Sequence, residues 1–254
     1  MPPYSPSVVF ITGASAGIGA ACARRFAREG SAVIVTGRRL DRLQALAAEL
    51  GPRAHPLVLD VGDRAAVAAA VAALPPALAA VDLLVNNAGL AMGLEPADRA
   101  DLDDWEQMVK TNINGALHCI HALLPGMVAR HRGHIINLGS VAGTYPYPGG
   151  NVYGATKAVL EQLSLNLRAD LLGKDVRVTS IEPGMVQTEF SVVRFGGDAD
   201  KADAVYRGMQ PLDADDIADV IHYAATRPPH VNINRLEVMP TAQAFAPFAV
   251  HRKP

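Results

Sequence analysis

Val8-Val9-Phe10-Ile11-Thr12-Gly13-Ala14-Ser15-Ala16-Gly17-Ile18-Gly19 is a short apolar run, rich in β-branched residues, that breaks into a glycine-rich turn. The residues that follow, Ala20 to Glu29, read as a helix. A strand feeding a glycine turn and then a helix puts free backbone N–H groups and the positive helix end beside a pocket. That arrangement is a pyrophosphate site and the opening of a βαβ unit. Gly13, Gly17 and Gly19 permit the tight turn, the close approach of backbone to phosphate and the close packing of helix on strand. Glycine trios also occur in surface turns, so the evidence lies in the order strand, turn, helix.

The alternation continues outward from there. Strand patterns at Ala32 to Thr36, Pro56 to Val61, Val81 to Val85, Gly133 to Leu138, Arg177 to Ile181 and Leu236 to Met239 are separated by helical patterns. These helices run from Leu40 to Leu50, Arg64 to Leu74, Leu102 to Met127 (with a kink expected at Pro125), through Tyr153 to about Leu172, and from Asp213 to Thr226. The pattern predicts an α/β fold: one Rossmann-type, doubly wound parallel sheet of about seven strands with helices on both faces. The 254 residues suit a single domain, and a half-apolar composition can bury a sizeable core. Residues 8–190 are expected to form the cofactor-binding and catalytic core. Residues 189–212, with Gly196-Gly197 and little periodicity, are expected to form a substrate loop with short helical pieces.

Composition excludes several classes. The net charge of -2, spread without long runs, gives no footprint for nucleic acid or an anionic membrane. No apolar run approaches the ~18 residues needed to span a bilayer. Nothing near Met1 to Ser7 resembles a secretion signal, so a cytoplasmic location is expected. Cys22 and Cys119 sit among apolar helix neighbours and read as buried thiols, not a disulfide framework. No metal site is indicated.

The chemistry concentrates between Gly139 and Lys157. Ser140 leaves the strand pattern at Gly133 to Leu138, and Tyr153-Gly154-Ala155-Thr156-Lys157 opens the next helix. Four-residue spacing stacks Tyr153 and Lys157 on one helix face. A nearby cation favours the phenolate, which would bring Tyr153 down from its usual pKa near ~10 so that it can trade a proton with an alcohol or carbonyl oxygen. The Ser140 hydroxyl could hold that same oxygen. An aromatic packed under a lysine stem gives the same pattern by chance, so the neighbouring motifs must decide.

Cofactor preference is legible in Gly37-Arg38-Arg39, after the second strand. An acid there would take a ribose 2′-hydroxyl, whereas guanidinium groups suit a 2′-phosphate, so NADP is expected. Asp60 and Val61, ending the third strand, could reach the adenine ring. The amides of Asn86-Asn87 are expected to pin strand ends, with Asn86 also lining the cofactor. Asn112 sits mid-helix, where a short polar side chain is unfavourable unless something else uses it.

Taken together, Thr12-Gly13-x-x-x-Gly17-x-Gly19, Asn86-Asn87-Ala88-Gly89, Asn112, Ser140, Tyr153-x-x-x-Lys157 and Pro183-Gly184-x-x-x-Thr188 resemble the short-chain dehydrogenase/reductase family. The likeness is closer to its bacterial NADP-dependent 3-hydroxy acid dehydrogenases, which also oxidise L-allo-threonine and serine. It extends through Gly89 to Pro96, Tyr147 to Lys157, Val231 to Asn234 and Val250-His251-Arg252. Pro183 to Thr188 is shorter than in those members and the 196–212 stretch differs in sequence, which bears on substrate range and not on reaction type. The resemblance implies Tyr153 as acid/base, Ser140 on the substrate oxygen, Lys157 on Tyr153 and the nicotinamide ribose, and Asn112 holding a water in a proton relay. It further implies cofactor contacts at Gly13, Ser15, Gly17, Ile18, Gly19, Arg38, Arg39, Asp60, Val61, Asn87, Pro183, Gly184 and Val186, with Thr188 on the carboxamide. A homotetramer is implied too, to which an apolar tail with Phe245, Phe248 and Val250 adds weak support.

A 3-hydroxy acid needs a cation beyond Tyr153 and Ser140, and Arg194 in the substrate loop could supply a two-pronged clamp. Alternatively, Arg194 is solvated or pairs with Glu189 or Asp198. Two other readings stay open at this level: a 3-oxoacyl or general ketone or aldehyde reductase, and a non-catalytic NADP-sensing protein.

Overall fold

The computed structural model describes residues 4–245 and residue 250. Phe248, His251 and Arg252 lie outside the described residues. Seven strands form one parallel sheet: β1 (Val8–Ile11), β2 (Ala32–Gly37), β3 (Ala54–Val58), β4 (Leu83–Asn86), β5 (Gly133–Leu138), β6 (Val176–Pro183) and β7 (Arg235–Val238), in the order β3-β2-β1-β4-β5-β6-β7. The chain winds from β1 out to β3, then returns to lay β4 against the other side of β1. At that reversal the connections on either side diverge, and a crevice opens at the carboxyl ends of β1 and β4.

The helices are α1 (Gly17–Arg28), α2 (Leu40–Leu50), α3 (Arg64–Ala72), α4 (Leu102–Met108), α5 (Gly115–Ala129), α6 (Asn151–Asp170), α7 (Glu189–Arg194), α8 (Ala199–Tyr206) and α9 (Ala214–Ala225). Alternate residues of β1 point to opposite faces. Val9 and Ile11 pack with Phe26, Leu43 and Ile221 beneath α1, α2 and α9. Val8 and Phe10 pack with Val67, Ile120 and Leu123 beneath α3 and α5. Both faces being covered, every residue of β1, β4, β5 and β6 is buried, and β1 reads as an unbroken apolar run, whereas β5 and β6 also bury polar side chains such as His134, Asn137, Arg177 and Glu182. Cys22 and Cys119 are buried free thiols, and burial raises the Cys119 pKa to about 12.

The expected α/β architecture is present, with three local corrections. The third strand spans Ala54–Val58, not 56–61, because β2 pairs from Val33 to Gly37 with Ala54 to Val58. Asp60 instead turns the chain, its Oδ1 accepting from the Gly62 N–H at 2.9 Å. Pro56 is tolerated because β3 is an edge strand. The helix expected over 102–127 is interrupted by a π-helical turn at Val109–Asn114 and continues through Pro125 to Ala129. The break lies at Asn112, whose side chain is claimed from outside the helix, and not at the proline. Asn86 pins strands as expected but does not line the cleft.

That pinning fixes the helix that carries the chemistry. Asn86 Nδ2 donates to Asn137 Oδ1 and Asn137 Nδ2 to Ser164 Oγ, both at 2.9 Å, tying β4 to β5 and β5 to α6. All three side chains are buried. Asn137→Leu keeps the branched shape but leaves the Asn86 amide without a partner inside the sheet, so it should lower the unfolding free energy by about 1–3 kcal/mol. Urea unfolding measures this, and an unchanged midpoint would refute the ladder's role.

Candidate active site

The crevice is a cleft of about 630 Å³. Of the residues singled out from the sequence, Gly13, Ser15, Gly17, Ile18, Arg38, Arg39, Asp60, Val61, Asn87, Ser140, Tyr153, Lys157, Pro183, Gly184, Val186, Thr188 and Arg194 all line it. Gly19 and Asn112 do not.

At one end the glycine turn makes a backbone cradle. Gly13 has a φ of 66°, and a Cβ built on it would lie 2.9 Å from Ala88 Cα. A Cβ on Gly19 would lie 2.4 Å from the Gly13 carbonyl oxygen, so Gly19 supports the turn from behind instead of touching the cleft. The Ala16 cap offers no side chain to the α1 N-terminus. First-turn N–H groups beside a side-chain-free turn therefore fit a diphosphate. Arg38 and Arg39 extend this end of the cleft. Arg39 donates through Nε and Nη2 to Ser15 Oγ, at 3.1 and 2.9 Å. The residues present thus fit a dinucleotide carrying a further phosphate.

The other end holds the groups that can move a proton. Tyr153 and Lys157 share the first turns of α6, both buried. Lys157 Nζ donates to the Leu138 carbonyl at 2.7 Å and stands 5.8 Å from the Tyr153 ring centroid. Ser140 caps the 3₁₀ turn Val141–Gly143, its Oγ accepting from the Ala142 N–H at 3.1 Å and donating to the Pro183 carbonyl at 3.4 Å. Burial pushes Tyr153 up to about 12, opposed by the Arg194 guanidinium and by hydrogen bonding with Ser140. Burial also pushes Lys157 down to about 8. Desolvation thus favours the protonated phenol in this cleft, and the Arg194 guanidinium pulls against it.

Arg194 closes the cleft. Its Cζ lies 5.0 Å from the Tyr153 ring centroid and 5.2 Å from that of Phe190. Its Nη2 donates to the Tyr147 hydroxyl at 2.9 Å, and its buried Nε has no hydrogen-bond partner. The alternative partners weighed for it are occupied elsewhere: Glu189 pairs with Arg39 and Arg42, and Asp198 with Lys201.

Asn112 is set apart from the cleft by its bonds. Its Oδ1 accepts from the Leu90 N–H at 2.8 Å, and its Nδ2 donates to the Leu90 carbonyl at 2.9 Å and to Thr156 Oγ1 at 3.0 Å. Both Nδ2 hydrogens are used in fixing the loop after β4 against α6, while Oδ1 keeps one lone pair beyond its bond to Leu90. Thr188 caps α7, its Oγ1 accepting from the Phe190 N–H at 3.2 Å. Tyr147, Phe190 and Tyr206 also line the cleft and were missed. The aromatic spacing of Tyr145-Pro146-Tyr147 beside Tyr153 was a usable signal for the first. The other two come from a stretch without periodicity.

A glycine cradle at the switch point and a Ser–Tyr–Lys set at the far end of one cleft define an oxidoreductase architecture. The profile described as short chain dehydrogenase matches residues 7–195, and the chain belongs to that family. It is 55% identical over 245 residues to the serine 3-dehydrogenase of Agrobacterium fabrum, covering 96% of this chain and 98% of that one. It is 53% identical over 247 residues to the NADP-dependent 3-hydroxy acid dehydrogenase YdfG of Escherichia coli strain K12, covering 97% and 100%. A solved structure described as the closed form of serine dehydrogenase complexed with NADP+ matches with a TM-score of 0.94 at 53% identity, covering 97% of this chain and all of that one.

The lowered Lys157 pKa has a measurable consequence for folding. Its folded value is about 8 against an ordinary 10.5, so between these pH values the unfolded chain binds a proton that the folded chain has released. Stability must then rise with pH across that window and be lost as pH falls through 8. The advantage of the cofactor-free wild type over Lys157→Met should therefore grow from pH 8 to 10.5, at up to about 1.4 kcal/mol per pH unit. Urea unfolding along a pH series reads it, and a flat difference would contradict the buried-ammonium account.

Proposed function

We propose that this chain is an NADP-dependent dehydrogenase that moves hydride between the cofactor and a small 3-hydroxy acid or β-hydroxy amino acid, of the serine, L-allo-threonine or 3-hydroxypropionate type. The observation that carries the substrate class is Arg194: a half-buried residue lining the cleft, its guanidinium beside the Tyr153 ring and its Nε without a hydrogen-bond partner. A guanidinium fork suits a carboxylate two carbons from the reacting centre. The names of the similar proteins support the same class.

In this reading Gly13, Gly17 and Ile18 hold the diphosphate, Arg38 and Arg39 the 2′-phosphate, Asp60, Val61 and Asn87 the adenosine side, and Pro183, Gly184, Val186 and Thr188 the nicotinamide side. Bound there, NADP accepts or supplies the hydride. The Tyr153 hydroxyl exchanges the proton with the substrate oxygen, and Ser140 Oγ holds that oxygen in place. Lys157 orients the ribose and joins Tyr153 to the backbone at Leu138. Asn112 sets the π turn and the loop at Leu90, and in this reading it also holds the water of the proton relay. Residues 189–212 form the cover over the substrate, and residues 8–190 the cofactor-binding and catalytic core.

The working unit is proposed to be a cytoplasmic homotetramer. Exposed apolar side chains on α4, α5 and α6, among them Leu102, Leu117, Val159 and Leu165, support packing against copies of the chain. No helix among the described residues is long and apolar enough to cross a membrane. Light scattering at micromolar protein should give four times the chain mass, and a monomer would remove the assembly. For the substrate class, Arg194→Met should raise KM for 3-hydroxypropionate at least tenfold more than for an uncharged alcohol of similar size, given about 1.5–3 kcal/mol for a bond to a charged group. Equal losses would point to a general disturbance of the cover.

A further inference from the structure

Glu189 and Arg194 are the two ends of α7. Six residues at 1.5 Å rise make this a single stiff segment about 9 Å long. Its Arg194 end stands over the Tyr153 ring. Its Glu189 end is bonded to the opposite region of the cleft: Arg39 Nη1 donates to Glu189 Oε2 at 2.9 Å, and Arg42 donates to Oε1. Those two bonds hold the Glu189 carboxyl below its ordinary range, that from Arg42 contributing most. The segment is also braced at its base, where Thr188 packs against the glycine turn. A Cβ on Gly17 would lie 3.3 Å from Thr188 Cβ.

The charges of this cluster are unbalanced. Arg39 and Arg42 against one carboxylate leave one positive charge, Arg38 on the lining of the same cleft adds a second, and a phosphate monoester carries about −1.5 to −2 near neutral pH. A 2′-phosphate therefore completes the cluster without displacing Glu189. Arg39 retains donors for it, because its Nε and Nη2 are engaged only by the neutral hydroxyl of Ser15.

We propose that Glu189 is a positioning residue that couples the 2′-phosphate end of the cleft to the acid-binding end. Phosphate fixes the guanidinium groups, these fix the Glu189 carboxylate, and α7 then sets Arg194 over Tyr153. This rests on the reading of Arg194 as the partner of the substrate carboxylate. An exposed ion pair alone contributes little, so the coupling depends on phosphate ordering the arginines first.

The test separates the two claims. Hydrogen–deuterium exchange is followed on the cofactor-free protein saturated with adenosine 2′,5′-bisphosphate or with 5′-AMP, which lacks the 2′-phosphate. The bisphosphate should slow exchange across residues 189–206 relative to 5′-AMP, and Glu189→Gln should abolish the difference while still binding both. Identical protection by the two nucleotides, or a difference that survives in Glu189→Gln, would overturn the coupling. In turnover, KM for 3-hydroxypropionate should be about fivefold or more lower with NADP than with NAD in the wild type, and nearly equal in Glu189→Gln. A ratio that persists in Glu189→Gln also overturns it. Failure of the carboxylate reading shows separately, as an Arg194→Met variant with unchanged acid KM while the exchange difference stands.

Discussion

Thr12 and Asn87 join the carboxyl ends of β1 and β4, and the site depends on that junction. The Thr12 hydroxyl accepts from the Asn87 and Ala88 N–H groups at 3.0 and 2.9 Å. Asn87 Nδ2 returns bonds to the Thr12 and Gly13 carbonyls at 2.8 and 3.2 Å. The order in which strands are added reverses here, so two strand ends whose connections diverge are held at a fixed separation. The glycine turn, the α1 N-terminus and the loop leading to Leu90 all take their positions from this knot. Without it there would still be a sheet, but no cradle of defined width.

The far end of the cleft is governed by desolvation. Burial favours the neutral form of both Tyr153 and Lys157, raising one and lowering the other. In place, the pair is a protonated phenol beside an ammonium group whose pKa burial has lowered to about 8. Arg194 keeps a cation close to Tyr153 while lying against three aromatic side chains, and its surroundings leave the buried Nε unused. Polar groups left unpaired in an interior are uncommon, and each one marks a place where a ligand can add more than it displaces.

Much of this was legible in the sequence. β1 announces itself as an apolar run, and the glycine turn, the Arg38-Arg39 pair and the Ser140, Tyr153 and Lys157 set are local patterns with a physical reason at each position. What could not be read was of two kinds. Some features depend on pairing partners far along the chain, such as the register of β2 with β3 that moved the third strand to Ala54–Val58. Others depend on which neighbour wins a side chain. Asn112 was recognisable as an oddity, but its engagement by Leu90 and Thr156 was not, nor was the π turn that accompanies it. Glu189 was considered only as a partner for Arg194. Its bonds to Arg39 and Arg42 span about 150 positions of sequence and leave no periodic trace.

The junction of β1 with β4 also governs how the molecule must come into being. Asn87 and Thr12 are 75 positions apart, and no shorter contact substitutes for their pairing. Closing so long a loop is entropically unfavourable before any reward from packing arrives, and parallel sheets of this kind fold slowly for that reason. β1 and β2 can meet early through the helix between them, whereas the crevice exists only once β4 has docked. During synthesis the nucleotide cradle is thus shaped late, after the strand that completes it has emerged, and until then the apolar flank of β1 is exposed to other chains.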